Sequence, residues 1–320
     1  MNTKHKTPTG KYVTILPKKE RVNRSKSEKI IMWTVFALLS VYAFTLVYPF
    51  FYLVVNSMRD ITSFKINPFG LPKGIKDAIK NIKANYGYMF VSKEIDMNVP
   101  MMFFNSIVLS IGQTIVGMAL SCIAAYVLAK YKFKGNNFIY VATIVASMVP
   151  TVGAAPATYK LMLEAGFLQR EGVTGYLYNY LGMMLMVGAF GGPFLYLHSF
   201  FKAIPWSYGE SAQLDGAGEF RIFVQIMLPL ASNGVMTFTI MRFLGSWNEY
   251  WGAYLYFGSV FTERETLAVG LNRISKLADN KGRFVELFAA MVVTVMPVFI
   301  FYAIFQKQLM RNTIGGGLKG

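Results

Sequence analysis

Two charged residues, Arg242 and Glu249, stand within an otherwise apolar run near the end of the sequence. Their seven-residue spacing is two helical turns, so both project to one face. A charge in a membrane-spanning helix costs about 2.5–3.5 kcal/mol on insertion scales, and such side chains face a bundle interior or a water-filled space. The pair can line a polar pathway, or it can serve structure alone. For Arg242 the structural role is the expectation, and for Glu249 both readings stand. Trp247, Asn248, Tyr250 and Trp251 surround them, supplying aromatic faces and hydrogen-bonding groups. The same aromatics also suit an interfacial belt near the outer leaflet.

Catalytic chemistry finds no such foothold. The patterns His-Glu-x-x-His, Gly-x-Ser-x-Gly and Gly-x-Gly-Asp are absent, as is the phosphate-cradling Gly-x-x-x-x-Gly-Lys-Ser/Thr. His5 and His198 are far apart, and the single Cys122 lies inside an apolar run. No metal, no cofactor and no enzyme activity is expected.

The elements that must position these residues are apolar helices. Hydrophobic residues make up 54% of the 320 and charged residues 15%, well below the charge content of a soluble domain. The net charge of +16 is gathered in short segments beside apolar runs, the pattern of a membrane protein rather than a nucleic-acid binder. A span needs about 20 apolar residues, and six runs qualify, at about 30–57, 102–129, 137–159, 174–201, 232–257 and 286–306. An all-α integral membrane protein with six transmembrane helices is the expectation. Residues 1–29 read as a basic cytoplasmic tail and not a signal peptide, 30–309 as the membrane domain, and 310–320 as a Gly-rich cytoplasmic tail.

Orientation follows from Lys and Arg. Lys18, Lys19, Arg21, Arg24, Lys26 and Lys29 precede the first span, Lys130, Lys132 and Lys134 join spans two and three, and Lys307, Arg311 and Lys319 follow the last. Six spans put these segments, both termini and the loop 203–231 in the cytoplasm. The outer loops are then 57–100, 160–173 and 258–285, the first long enough for a folded hairpin or docking surface. Pro150, Gly153 and Pro156 interrupt the third span, Gly188, Gly191, Gly192 and Pro193 the fourth, and Pro297 the sixth. Breaks of this kind suit helix packing through small residues or a pathway.

The cytoplasmic loop carries helix punctuation. Ser207 and Glu210 have capping-box spacing, and Gly216 suits the left-handed stop of a helix. A second short helix is expected from about Gly218 to Met227, ending before Pro229. Tyr208, Ala212 and Leu214 are expected to supply apolar contacts. No Lys or Arg lies between Lys202 and Arg221, which favours a protein partner over lipid headgroups.

Glu210-Ser211-Ala212, Asp215-Gly216-Ala217 and Ile226-Met227-Leu228-Pro229 resemble the EAA loop of ATP-binding-cassette (ABC) importer permeases, with Ser211 in place of the first alanine. Further motifs in family order narrow the resemblance to the carbohydrate permeases: Tyr48-Pro49-Phe50 with Asn56-Ser57-Met58, Asn105-Ser106, Met148-Val149-Pro150, Trp247-Asn248-Glu249-Tyr250 and Thr266–Leu271. The Gly315–Gly320 tail is similar to that of the maltose-type G subunit.

The resemblance implies a type I importer permease fold in a bacterial inner membrane. It implies a coupling helix at Glu210, Ser211, Ala212, Leu214, Asp215 and Gly216 that meets an ATPase, and a tail contact with it through Gly316, Gly317 and Lys319. Trp247, Asn248, Glu249 and Tyr250 are the candidate sugar pathway, by ring stacking and hydroxyl binding, with the interfacial belt as the alternative. The implied partners are a second, homologous permease, two ATPase subunits, an extracellular solute-binding lipoprotein and a carbohydrate, in practice an oligosaccharide, carried by alternating access. The alternatives are a permease for a non-sugar solute or a secondary transporter.

Overall fold

The computed structural model describes residues 4–6, 12–14, 25–91, 97–149, 153–168, 172–257 and 262–315. The chain forms two units, Met1–Tyr52 and Leu53–Gly320. The first holds a small antiparallel strand pair, β1 (Lys4–Lys6) and β2 (Tyr12–Thr14), with His5 opposite Val13, and most of helix α1 (Lys26–Ser57). The strand pair departs from a purely helical expectation.

The second unit is helical. The loop expected to run from 57 to 100 folds mainly as two helices, α2 (Ile61–Ile66) and α3 (Ile75–Val91), before α4 (Val99–Lys130). Asp60 caps α2 by accepting from the Ser63 amide at 2.9 Å. At the other end of α2, the buried Arg59 guanidinium donates to the carbonyls of Ser63 and Asn67, each at 2.8 Å. Both carbonyls also accept backbone amides, Ser63 from Asn67 and Asn67 from Gly70, each at 3.1 Å, so Arg59 adds a second donor to each.

The third apolar run is two helices, α5 (Asn136–Met148) and α6 (Ala154–Glu164), and the fourth is α7 (Gly172–Leu185) and α8 (Gly192–Ala203). Gly153 enters α6 at φ +89° and Gly191 enters α8 at φ +143°, conformations that favour glycine. Pro150 lies outside the described residues. Freed backbone at the second break is satisfied from α4, where Ser121 donates to the Ala189 carbonyl at 2.8 Å and Gln113 to that of Met183 at 3.3 Å.

Next come α9 (Ser207–Leu214), α10 (Glu219–Ile222), a π-helical turn (Phe223–Met227) and α11 (Leu228–Leu230). The second loop helix therefore continues past Met227 instead of ending before Pro229. The π turn and the first-turn position of Pro229 in α11 let it do so. An 81° bend then leads to α12 (Ser232–Asn248), followed by α13 (Trp251–Phe257), a 3₁₀ turn (Thr262–Arg264), α14 (Leu267–Lys281) and α15 (Phe284–Gly315). Pro297 leaves α15 unbroken, and the helix extends into residues 310–315, which the sequence assigns to the tail.

Among the described residues three helices, α1, α4 and α15, are long and apolar enough to cross a membrane, or four if the bent pair Glu219–Leu230 and Ser232–Asn248 is one span. Helix α4 is the axis of the second unit and packs against α7, α8, α12 and α14. One core joins its C-terminal half to α8 and the loop helices through Tyr126, Phe194, Phe201, Ala212, Ile222 and Met227. A second joins α4 to α14 and α15 through Met102, Trp247 and Ile274, and a third joins it to α6, α7 and α13 through Leu109, Met162 and Tyr180. Cys122 is a buried free thiol in the first.

Candidate functional site

Helix α9 is built from both ends inward. The expected Ser207–Glu210 capping box does not form, because the helix starts one residue earlier. Trp206 holds the cap position without a side-chain cap bond, and its carbonyl accepts from the Gly209 and Glu210 amides at 2.8 and 3.1 Å. The reason is tertiary. Its indole packs edge-on against Tyr131, ring centroids 5.8 Å apart, and lies over Gly209, where a Cβ would come within 2.9 Å of the ring.

The C-terminal end matches its expectation. Gly216 has φ +81°, its amide donates to the Gln213 carbonyl at 3.0 Å, and the Ala217 amide donates to the Ala212 carbonyl at 2.9 Å. Those two bonds are a Schellman motif.

Gly209 and Ala212 face inward, while Glu210, Ser211 and Asp215 are exposed. Of the three residues expected to supply apolar contacts, only Ala212 is buried. Leu214 is 89% exposed and Tyr208 52% exposed, with Phe220 beyond them at 77%. The loop thus presents two carboxylates beside uncovered apolar side chains.

Two residues that sequence reasoning missed hold this loop in place. Glu219 accepts from the Gln213 amide at 2.9 Å through one oxygen and from the Tyr131 hydroxyl through the other. The Tyr131 hydroxyl also meets that of Tyr126 at 3.1 Å. Burial, and then the hydrogen bond to Glu219, push the Tyr131 phenol up, so it stays protonated. The bond spans 88 positions, which no local pattern reveals.

The Trp247–Tyr250 segment is the junction of α12 and α13, with Glu249 extended between them. Its four residues diverge. Trp247 is buried, stacked near Phe243 and donating to the Thr294 carbonyl at 3.4 Å. The Asn248 amide turns back to the Leu244 carbonyl at 2.9 Å, and Tyr250 packs edge-on to Trp251. Only Glu249 lines the nearby cavity of about 450 Å³, together with Gln113, Gly192, Arg242, Gly245 and Ser246. Trp247 belongs to the core, so of the four residues expected in the pathway Glu249 alone lines this cavity, alongside Arg242. The helical wheel carried that signal: Gly245, Ser246 and Glu249 share a face with Arg242, whereas Trp247 sits about 140° away.

At the far end of α4, Asn105 donates to the Glu263 and Glu265 carbonyls at 3.0 and 2.9 Å, and the Leu267 amide donates to Ser106 at 2.8 Å. Tyr176 donates to the Asn105 carbonyl oxygen at 2.7 Å, and Tyr180 to the Arg264 carbonyl at 2.9 Å. Glu265 is fully buried and paired with Arg273 at 2.8 Å. Burial raises its carboxyl pKa, with Arg273 acting in opposition. The tail residues Gly316, Gly317 and Lys319 lie outside the described residues.

Comparison with known proteins agrees with this architecture. Residues 117–314 match the family described as "Binding-protein-dependent transport system inner membrane component". The diacetylchitobiose uptake system permease protein NgcG of Streptomyces coelicolor is 30% identical over 88% of this chain and 86% of its own. The arabinooligosaccharides transport system permease protein AraQ of Bacillus subtilis is 28% identical over 85% of this chain and 90% of its own. Among solved structures, a chain of a bacterial ABC transporter that imports the acidic polysaccharide alginate superposes with a TM-score of 0.69 at 23% identity, covering 89% of this chain and 98% of that one. The helical, membrane-embedded chain described above therefore belongs to the binding-protein-dependent transport system inner membrane components, the permease subunits of ABC importers.

Proposed function

We propose that this chain is one of two homologous permease subunits of an importer that takes an oligosaccharide from an extracellular solute-binding lipoprotein into the cytoplasm by alternating access. Its six spans adopt the type I arrangement, the two broken pairs α5/α6 and α7/α8 each counting as one. Both termini and α9 face the cytoplasm, where each of two ATPase subunits meets one permease. The carbohydrate assignment is supported by relatives that serve diacetylchitobiose and arabinooligosaccharides.

The observation that carries the coupling role is the form of α9. It is a short helix with a Schellman stop, fastened to α4 through Glu219 and Tyr131, that leaves Glu210, Leu214 and Asp215 uncovered. A groove on an ATPase would cover the apolar side chains and pair the carboxylates. Residues Gly316, Gly317 and Lys319 of the tail lie near the same partner in this reading.

The test is reconstitution of the four-subunit complex in lipid. ATP hydrolysis should rise with sugar-loaded binding protein, and Glu210→Lys or Gly216→Val should abolish that rise while the subunits still co-purify. Normal stimulation in both variants would remove the coupling assignment. Uptake that persists without any ATPase would point to a secondary transporter.

A further inference from the structure

Arg242 is the one charged side chain of α12, and no described residue answers it. Among the described residues it has neither an ion pair nor a hydrogen bond. Glu249, on the same face, does not take it either, since its Oε1 accepts from the Gly252 amide at 2.8 Å. A guanidinium carries five donors in a fixed fork that suits the two oxygens of a carboxylate. Half-buried in an apolar helix and left unpaired, it is costly.

Its berth is nevertheless formed for it. At Gly117 on α4 a Cβ would fall 2.5 Å from the Arg242 Nε and 2.6 Å from Val187, so the guanidinium lies across a position where only hydrogen fits. The group is held at the wall of the cavity of about 450 Å³. Gln113, Ser246 and Glu249 add hydroxyl-binding groups, and a Cβ at Gly245 would meet nothing within 4 Å. The first residues of α8, Gly192 and Pro193, border the same cavity, and the positive end of that 12-residue helix adds to an anion-favouring field.

We infer that Arg242 is the anion-recognising residue of a saccharide subsite, and that the oligosaccharide admitted here carries a carboxylate, as a uronic-acid sugar does. This rests on the carbohydrate-importer reading above and adds its charge class. Arg242 takes the carboxylate through its fork, Glu249 accepts from ring hydroxyls, and Gln113 and Ser246 serve neighbouring hydroxyls. Glu249 also disfavours the carboxylate on its own side, which fixes the orientation of the sugar.

The test uses the complete importer in nanodiscs without binding protein. Equilibrium dialysis measures the affinity for trigalacturonate and for its neutral counterpart galactotriose. The acidic sugar should bind more tightly than the neutral one by about tenfold or more, the scale of hydrogen bonds to a charged group. Arg242→Gln should bring the ratio of the two affinities close to one, and Arg242→Lys should leave it between these limits. Gly117→Ala, which displaces the guanidinium without removing it, should also lower the ratio.

Equal binding of both sugars by the wild-type complex, or a ratio unchanged in Arg242→Gln, overturns the proposal. Failure of Arg242→Gln to assemble with the second permease also overturns it, because Arg242 then answers a carboxylate of that subunit. Galactotriose binding alone leaves the carbohydrate reading standing while the acidic one falls. If neither trisaccharide binds and neither, delivered by binding protein, stimulates ATP hydrolysis, both readings fall.

Discussion

The side-chain amide of Asn105 donates to the backbone carbonyl of Glu265 at 2.9 Å, across 160 positions of sequence. With the Glu263 carbonyl and the Tyr176 hydroxyl also bound, Asn105 has three hydrogen bonds that fasten the segment before α14 to the start of α4. Replacing Asn105 by Leu leaves two carbonyls and one hydroxyl without this partner. A cost of about 1–3 kcal/mol for each group left unsatisfied is the relevant scale. The purified complex should show a lower thermal midpoint, and an unchanged midpoint would mean the segment is held by Ser106 and Tyr180 alone.

Glu265 sets a pH dependence on the same segment. Burial raises its folded pKa above the ordinary value, Arg273 notwithstanding. A carboxyl raised in the fold stabilises most below its unfolded pKa, and its contribution falls as pH rises through the folded value. Glu265→Gln, which cannot ionise, should lose that decline. Melting curves from about pH 4 to about pH 7 would reveal it as a flatter profile than the wild type.

Asp60 carries the opposite sign. Hydrogen bonds from the Ser63 hydroxyl and amide lower its pKa, so its cap on α2 is complete above the unfolded value and is lost as pH falls through the folded one. Asp60→Ala should cost about 0.5–2 kcal/mol near neutrality. Hydrogen exchange in Ile61–Ile66 is the local readout, and the difference from wild type should vanish in acid.

Tyr131→Phe and Glu219→Gln each loosen the attachment of α9 to α4. Both should lower the stimulation of ATP hydrolysis by loaded binding protein. In a double-mutant cycle the pair should be coupled by about 0.5–3 kcal/mol, as contacting residues are. Additive effects would mean that the two act separately.

Gly209→Leu places a side chain where the Trp206 ring lies, since even a Cβ comes within 2.9 Å of it. The indole must leave Tyr131, so the start of α9 should fray. Faster backbone exchange in Ser207–Leu214 would report this, and protection equal to the wild type would show that the anchor is dispensable.

Which of these features were legible beforehand follows from how local they are. Gly216 and the breaks before α6 and α8 are set by backbone conformations that glycine favours, and the sequence displays them directly. The cap of α9 differs from the expectation because Tyr131, which caps the end of α4, decides where Trp206 sits. In 57–100 the Arg59 side chain folds over α2 to reach the Ser63 and Asn67 carbonyls, four and eight positions on, which no periodic pattern displays. Trp247 and Glu249 part company, one in the core and one on the cavity wall, because adjacent residues of a helix face about 100° apart. The pairing of Tyr131 with Glu219 had no signal of its own, since it joins positions 88 residues apart.

The elbow of 81° between Glu219–Leu230 and Ser232–Asn248 has a mechanical consequence. Two rods joined near a right angle form a bell crank. A push along the first arm has almost no component along the second, so it emerges there as a swing. The π turn sits in the input arm, and Arg242 lies on the output arm with Glu249 at its end. Displacement of the loop by a fraction of a helical turn would therefore sweep the charged wall of the cavity sideways rather than drive it along its own axis.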